Sequence, residues 1–352
     1  MNIKSLLLGS AAALFAVSGA RAADAVVVAE PEPAEYVKIC DVYGTGYFYI
    51  PGTETCLRIG GYVRYDIGVG DREGHQDVTD LRDGSLNDTY HKQARLSLRT
   101  WTGSETELGT LKTYTETRFN FRDGHDTNQS TWSLNFAWIQ LGGLRVGKDE
   151  SVFTTFTGYA GNVIDDTIVG YGPFDTNLIS YYFDAGNGFS AVVSLEEGAG
   201  VDSIDSYVPH VVVGAKYTQG WGGISAVGAY DSNWEEFTGK VRLDVNASEQ
   251  LSLFVMGGWG TSDDVTDLLN GGQNFYKNWG GDWAIWGGAS YQVNEKTALN
   301  LQASYDDAET LGVVANVAYT VVPGFTVTAE VDYYDTPVDD GIGGILRFQR
   351  SF

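Results

Sequence analysis

The sequence predicts an all-β protein, a sixteen-stranded antiparallel β-barrel that spans a membrane. Three observations carry this reading. The chain opens on an export signal, sixteen short segments alternate apolar with polar residues, and the connections between them are short at one rim and long at the other.

The compartment comes first. Met1-Asn2-Ile3-Lys4 is a short positive start, residues 5–18 are an apolar run, and Ala20-Arg21-Ala22 is an A-x-A cleavage pattern. The run is too short for a membrane anchor. Residues 1–22 are therefore read as a signal peptide and residues 23–352 as a single domain. The formal charge is −24, and loss of Lys4 and Arg21 with the signal takes the mature chain to −26. Such acidity argues against a nucleic-acid partner, whose phosphates need a basic footprint, and suits a lumen that attracts cations.

Beyond the signal no stretch approaches ~18 consecutive apolar residues, so helical membrane spans are excluded. Yet the chain holds 9 Trp, 21 Tyr and 16 Phe with 45 Gly and 7 Pro. A disordered acidic chain lacks such aromatics, whereas a membrane barrel needs them. Cys40 and Cys56 are the only cysteines. In an exported chain they read as a disulfide that contributes ~3 kcal/mol by constraining the unfolded state. With no nearby His, a metal site is not expected.

The elements follow in order. Residues 23–56 form a lead-in whose first part, residues 23–35 with Glu30-Pro31-Glu32-Pro33, is extended. From Leu57 onwards period-two alternation dominates. Leu57, Ile59, Val63, Tyr65, Ile67 and Val69 share one face, and Arg58, Arg64 and Asp66 share the other. Ala94, Leu96 and Leu98 oppose Arg95, Ser97 and Arg99 in the same way, and Phe119 and Phe121 oppose Arg118 and Arg122. Predicted strands cover 57–70, 92–102, 108–122, 131–141, 144–148, 178–184, 189–197 and 208–218. The second half adds 224–231, 236–246, 251–260, 282–293, 298–306, 310–322, 325–334 and 343–352.

Short connections such as Gly142-Gly143 and Pro323-Gly324 alternate with long polar ones at 71–91, 149–177 and 261–281, the asymmetry of a barrel with short periplasmic turns and long extracellular loops. Trp101, Trp132, Tyr230, Trp259, Trp283 and Tyr333 near strand ends suit interfacial girdles. An open edge in hydrocarbon leaves backbone groups unsatisfied, so the last strand must meet the first and Phe352 falls in the seam. Arg350 has lipid-facing parity there, tolerable only near an interface. Sixteen strands leave an aqueous channel.

Longer strings carry a resemblance: Gly46-Tyr47-Phe48-Tyr49-Ile50-Pro51-Gly52-Thr53-Glu54-Thr55-Cys56, Gly61-Tyr62-Val63-Arg64-Tyr65-Asp66, Gln140-Leu141-Gly142-Gly143-Leu144-Arg145-Val146-Gly147 and Arg347-Phe348-Gln349-Arg350-Ser351-Phe352. Over most of the mature chain it resembles the general porins of alphaproteobacterial outer membranes. The resemblance implies a homotrimer that passes small hydrophilic solutes and ions by diffusion, surrounded by outer-membrane lipid and lipopolysaccharide. It implies that the terminal Phe352 is what the barrel assembly machinery recognises, and that the third long loop folds into the lumen as a constriction.

That loop, residues 149–177, carries Asp149, Glu150, Asp165, Asp166 and Asp175 and no basic residue. It also holds Phe153, Phe156, Tyr159, Ile164, Ile168, Val169 and Tyr171, too much apolar surface for a solvated loop. On strands tilted ~45° each residue climbs ~2.3 Å, which puts Arg64, Arg95, Arg99 and Arg118 near mid-height. These four are expected to form a basic wall facing the acidic loop. The plainer reading is that they only neutralise lumen carboxylates such as Asp66 and Glu116.

Catalysis finds no support. His75, His91, His125 and His210 are scattered, with no ligand spacing and no paired nucleophile. Asp263-Asp264 and Asp306-Asp307 read as solvated loop charge rather than cation sites. The leading function is a passive, weakly selective diffusion channel, expected to prefer cations and to need no cofactor; an enzyme or adhesin on a barrel is the alternative. A solute-specific channel would show an aromatic ladder, whereas lumen-facing positions here are mostly charged or small.

Overall fold

Hydrogen-bonded pairing between consecutive strands builds the molecule. The computed structural model describes residues 38–71, 75–122, 130–262 and 273–352. Residues 1–22, read as a signal peptide, together with residues 23–35, His125 and Asp263-Asp264, lie outside them. Among the described residues sixteen strands make one ring: β1 Cys56–Gly70, β2 Leu86–Thr106, β3 Gly109–Arg122, β4 Ser130–Leu141, β5 Leu144–Glu150, β6 Asp175–Asp184, β7 Phe189–Glu196 and β8 His210–Gln219. The ring continues with β9 Gly222–Asp231, β10 Glu236–Asn246, β11 Leu251–Gly260, β12 Trp283–Asn294, β13 Thr297–Asp306, β14 Leu311–Val322, β15 Phe325–Asp335 and β16 Asp340–Ser351.

Each strand pairs antiparallel with the next, and β16 pairs with β1 from Gly343 opposite Gly70 to Ser351 opposite Tyr62. Phe352 completes this seam by exchanging both backbone hydrogen bonds with Gly61, each 3.0 Å. No edge is left to hydrocarbon. Arg350, at lipid parity, turns its guanidinium to the carbonyls of Pro323 and Ser351 at the turn rim. There its charge has polar partners instead of lipid.

The alternation resolves into an inside-out protein. On β14, Ala315, Val317 and Tyr319 point outward and are exposed, while Val314 and Asn316, of the other parity, are buried against the lumen. Ile59, Val63, Leu96, Leu98, Phe119, Val241 and Leu301 are likewise exposed. The buried polar residues, Ser97, Glu116, Glu196, His210, Lys240 and Gln302 among them, face inward. In water the outer surface would be an untenable apolar patch; in a bilayer it is the required one.

Three differences from the sequence reading have local causes. Strand β2 begins at Leu86, because its first five residues pair with a short strand, His75–Thr79, that folds back from the first loop. The last strand starts at Asp340, because Asp340 to Ile342 pair with β15 before the ladder to β1 begins. The long-short alternation weakens in the second half, where the loop-side connections 232–235, 307–310 and 336–339 have only four residues each.

The apolar core lies inside the ring and on one side of it. Val152, Phe153, Phe156, Val169 and Tyr171 of the third loop and Phe275, Tyr276 and Trp279 of the sixth pack on Val192, Val212, Val227, Met256 and Trp286 of the inner wall. The connection beginning at Thr261, read from sequence as a polar outer loop, therefore returns inward over residues 273–282. Its aromatic residues bury only by doing so.

Val317 stands at the centre of β14 on the outer face. We expect Val317→Arg to lower unfolding stability by ~2–4 kcal/mol, measured by reversible denaturation in lipid, with Val322→Arg at the strand end costing far less.

Candidate pore constriction

The third loop spans residues 151–174 and traverses the inner wall from β7 to β15. It begins with a single helical turn, Val152–Thr155, capped by Ser151, whose hydroxyl accepts from the Phe153 amide at 3.2 Å. Buried Glu196 of β7 accepts from the Ser151 hydroxyl at 2.6 Å and the Val152 amide at 2.9 Å. Phe156 then packs where Gly214 of β8 has no side chain; a Cβ there would lie 2.7 Å from its ring.

The wall satisfies the loop's backbone at each step. Arg242 donates to the Tyr159 carbonyl, Asn316 to Asn162 at 3.0 Å, Gln302 to Asp166 at 3.3 Å, Trp286 to Val169 at 2.9 Å and Lys240 to Tyr171. Glu330 of β15 holds the tip. It accepts from the amides of Ile164 at 2.6 Å and Asp165 at 2.8 Å and from the Asn316 side chain at 2.9 Å. Irregular backbone at membrane depth is tolerated only where it is buried in protein or lines a cavity, and this loop meets that condition.

The opposite wall, β16 and β1 to β5, is left uncovered by the third loop and carries side chains in rows set by register. One row is Gly60, Arg99 and Glu116; the next is Tyr62, Ser97 and Arg118; the third is Arg64, Arg95 and Asn120; the fourth is Arg347, Asp66 and Gln93. Glu116 accepts from Arg99 at 2.9 Å, Arg118 at 2.7 Å, Ser97 at 3.0 Å and Tyr114 at 2.7 Å. Asp66 takes both ends of the Arg347 fork, at 2.8 and 3.0 Å, and lies 3.6 Å from Arg64. Arg95 donates to Asn120 at 2.6 Å. Arg64 and Arg99 flank the Tyr62 ring, each 5.2 Å from its centroid.

Arg64, Arg95, Arg99 and Arg118 thus share one wall, and two of them do engage Glu116. The five arginines of these rows outnumber the two carboxylates, Asp66 and Glu116. Arg347 went unassigned from sequence, although its parity in the closing strand already turns it to the lumen. Arg145, Lys240 and Arg242 were also missed, since they lie on strands whose lumen face was not traced.

The acidic side needs correction. Asp149 and Glu150 are the last residues of β5, not of the loop, and Asp175 starts β6. Asp149 is buried, bound by Arg145 at 2.7 Å and by the Glu150 amide at 2.8 Å. Asp165 is buried as well. Glu150, which accepts from the Tyr159 hydroxyl, and Asp166, which accepts from the Tyr171 hydroxyl at 2.6 Å, remain partly open. Glu150 lies within Coulomb reach of Arg118. Asp166 lines one cavity with Ile164, Asn316, Arg347 and Gln349. Burial pushes the Asp166 carboxyl up to about 6, with Asp165 and Glu330 adding to the rise and Tyr171 opposing it.

Lumen positions are also more aromatic than the sequence reading allowed. Trp101, Tyr114 and Trp138 are cross-strand neighbours on β2, β3 and β4, with ring centroids 5.3 and 5.7 Å apart. Arg58 stacks on Trp101 at 4.5 Å and Arg145 on Trp138 at 4.1 Å. This row runs across the strands and carries arginines on its rings, so it is not a ladder along the lumen.

A closed sixteen-stranded barrel with an apolar exterior, a charged free wall and an inward third loop defines an outer-membrane diffusion channel. The chain matches the family model described as "Porin subfamily" over residues 24–342. It belongs to that porin family and is a channel of the outer membrane rather than an enzyme. It is 54% identical to the porin Omp2b of Brucella canis and 53% identical to those of Brucella suis and Brucella melitensis, across the full length of each chain. Among solved structures it is similar in fold to the outer membrane channel DcaP of Acinetobacter baumannii, at a TM-score of 0.64 and 17% identity over 86% of this chain and 99% of that one. It is also similar to an anion-selective porin from Comamonas acidovorans, at a TM-score of 0.56 and 16% identity over 85% and 100% of the two chains.

Two outcomes test this geometry. Glu330→Ala leaves the Ile164 and Asp165 amides without their acceptor, at about 1–3 kcal/mol each, and should free the loop tip, read as added open-channel current noise. Asp166 is charged above about pH 6 and neutral below it. Acidification from pH 7.5 to 5 should therefore lower cation permeability relative to anion permeability, read as a shift in reversal potential. In Asp166→Asn that step should shrink.

Proposed function

We propose that this channel passes small hydrophilic solutes and ions with a weak preference for cations, set at its mouths more than at its narrowest level. The observation that carries the reading is the balance of charge. The basic rows (Arg64, Arg95, Arg99, Arg118 and Arg347) face Glu150 and Asp166, with Asp66 and Glu116 among them, so the narrow zone is nearly neutral. The chain as a whole is strongly acidic, at −24, and that excess must act from elsewhere. Opposed charges on two walls give a field transverse to the path, which orients dipolar solutes without binding them. Charges at the mouths are screened within ~10 Å at 0.1 M salt.

In this reading three copies assemble in lipid and lipopolysaccharide, the signal peptide is removed after Ala22, and Phe352 is recognised by the barrel assembly machinery. The exposed terminal ring and its place in the closing seam support that role for Phe352.

Reversal potentials in a salt gradient test the charge assignment. Cation preference should be clear at low ionic strength and fade as salt rises. Replacing Arg64 and Arg95 together by neutral residues should increase it. Unchanged reversal potentials in the double variant would remove the basic wall from the account of selectivity.

A further inference from the structure

Below the charged rows, the stretch between Ile39 and Thr55 folds back under the barrel wall. Phe48 and Tyr49 pair with Leu57 and Cys56, Ile39 bridges to Phe48, and the Cys40 amide donates to the Tyr47 carbonyl at 3.0 Å. A disulfide joins Cys40 to Cys56, and both cysteines are buried.

Four contacts fix which side of the wall this segment occupies. Cys56 has the same parity as Arg58, Tyr62 and Arg64 on β1, so its sulfur faces the lumen and the disulfide draws the segment there. Gly103 has the parity of Arg95, Arg99 and Trp101 on β2; a Cβ added to it would point inward and lie 2.7 Å from the Tyr43 ring. The Tyr43 hydroxyl donates to Glu105 of the same strand at 2.8 Å. Gly46 lies against lumen-facing Arg58, 3.9 Å from its side chain to a Cβ position.

The position along the ring matters as much. The third and sixth loops fill the lumen beside β7 to β12, so the open path follows β16 and β1 to β5. The stapled segment stands at the foot of β1 and β2, on that same side and at the rim of the short turns. Its turn residues Gly44, Thr45 and Gly46 are exposed.

We propose that this disulfide-stapled segment is a second, size-selecting narrowing of the solute path, on the periplasmic side of the charged rows, with Tyr43 as the contact that seats it. It adds a steric step for bulky neutral solutes and leaves the charge selectivity of the rows unchanged. The proposal rests on the channel itself and not on the cation preference.

The test compares the whole chain with Cys40→Ser/Cys56→Ser and with Tyr43→Ala, each reconstituted in planar bilayers and in liposomes. Single-channel conductance should rise in both variants. In liposome swelling, the rate for a neutral trisaccharide relative to a monosaccharide should also rise, with the reversal potential as in the parent. Should the double serine variant fail to assemble, Tyr43→Ala decides alone. Parental conductance and parental size dependence in an assembled variant would overturn the proposal, as would a fall in either. A changed reversal potential with unchanged size dependence would place the segment's effect on charge and overturn it equally.

Discussion

Everything in this molecule depends on the cost of an unpaired backbone group in hydrocarbon, several kcal/mol each. That cost forces the sheet to close, and closure is achieved by β16 and β1 with Phe352 and Gly61 as the final pair. Once closed, the strands have an outside in lipid and an inside in water. The period of two then assigns each side chain to one or the other. The usual order of burial inverts: Val317 is exposed and Asn316 is covered.

The same constraint governs the third loop, which brings non-repetitive backbone to membrane depth. It is acceptable there because the wall supplies a partner at successive positions. Glu196 and Glu330 accept amide protons at its two ends, and Lys240, Arg242, Trp286, Gln302 and Asn316 donate to carbonyls between. The apolar residues of the loop meet Val212, Val227, Met256 and Trp286. A barrel of this size would otherwise be a wide tube. Filling one side of it turns the remaining space into a path with two unlike walls.

Strands were legible in the sequence because alternation is local. The predicted spans agree with the observed ones to a few residues, and the largest error, the start of β2, arose where a hairpin inside the stretch read as the first loop extends the strand. Side-chain parity also put Arg64, Arg95, Arg99 and Arg118 on one face, and the ladder sets them in adjoining rows. It would have placed Arg347 there too, had the closing strand been read for its inner face. Which acid faces the path was not legible. Asp149 and Asp165 share composition with Glu150 and Asp166, but Arg145 takes one and the packed loop tip covers the other. The first is a same-strand contact between residues of one parity, whereas the second depends on how a loop lies across strands far away in sequence. The inward turn of Phe275, Tyr276 and Trp279 was hidden for the same reason, although three large aromatics in a supposedly polar loop were a signal.

The two walls differ in what holds their charges in place. A strand cannot slip by one residue without exchanging its lipid and lumen faces, so the arginine rows are fixed by the whole ladder. Within them Glu116 and Asp66 orient the guanidinium groups, and Tyr62 separates Arg64 from Arg99. On the acidic side only Glu150, at the end of β5, belongs to that ladder, and it is tied to the loop through Tyr159. Asp166 sits on the loop, held by Glu330, Asn316 and Gln302 around the tip. In the proposed transverse field the arginine rows and Glu150 are thus held by the strand ladder and Asp166 by loop contacts alone, so a change that shifts the loop moves Asp166 and the opening together.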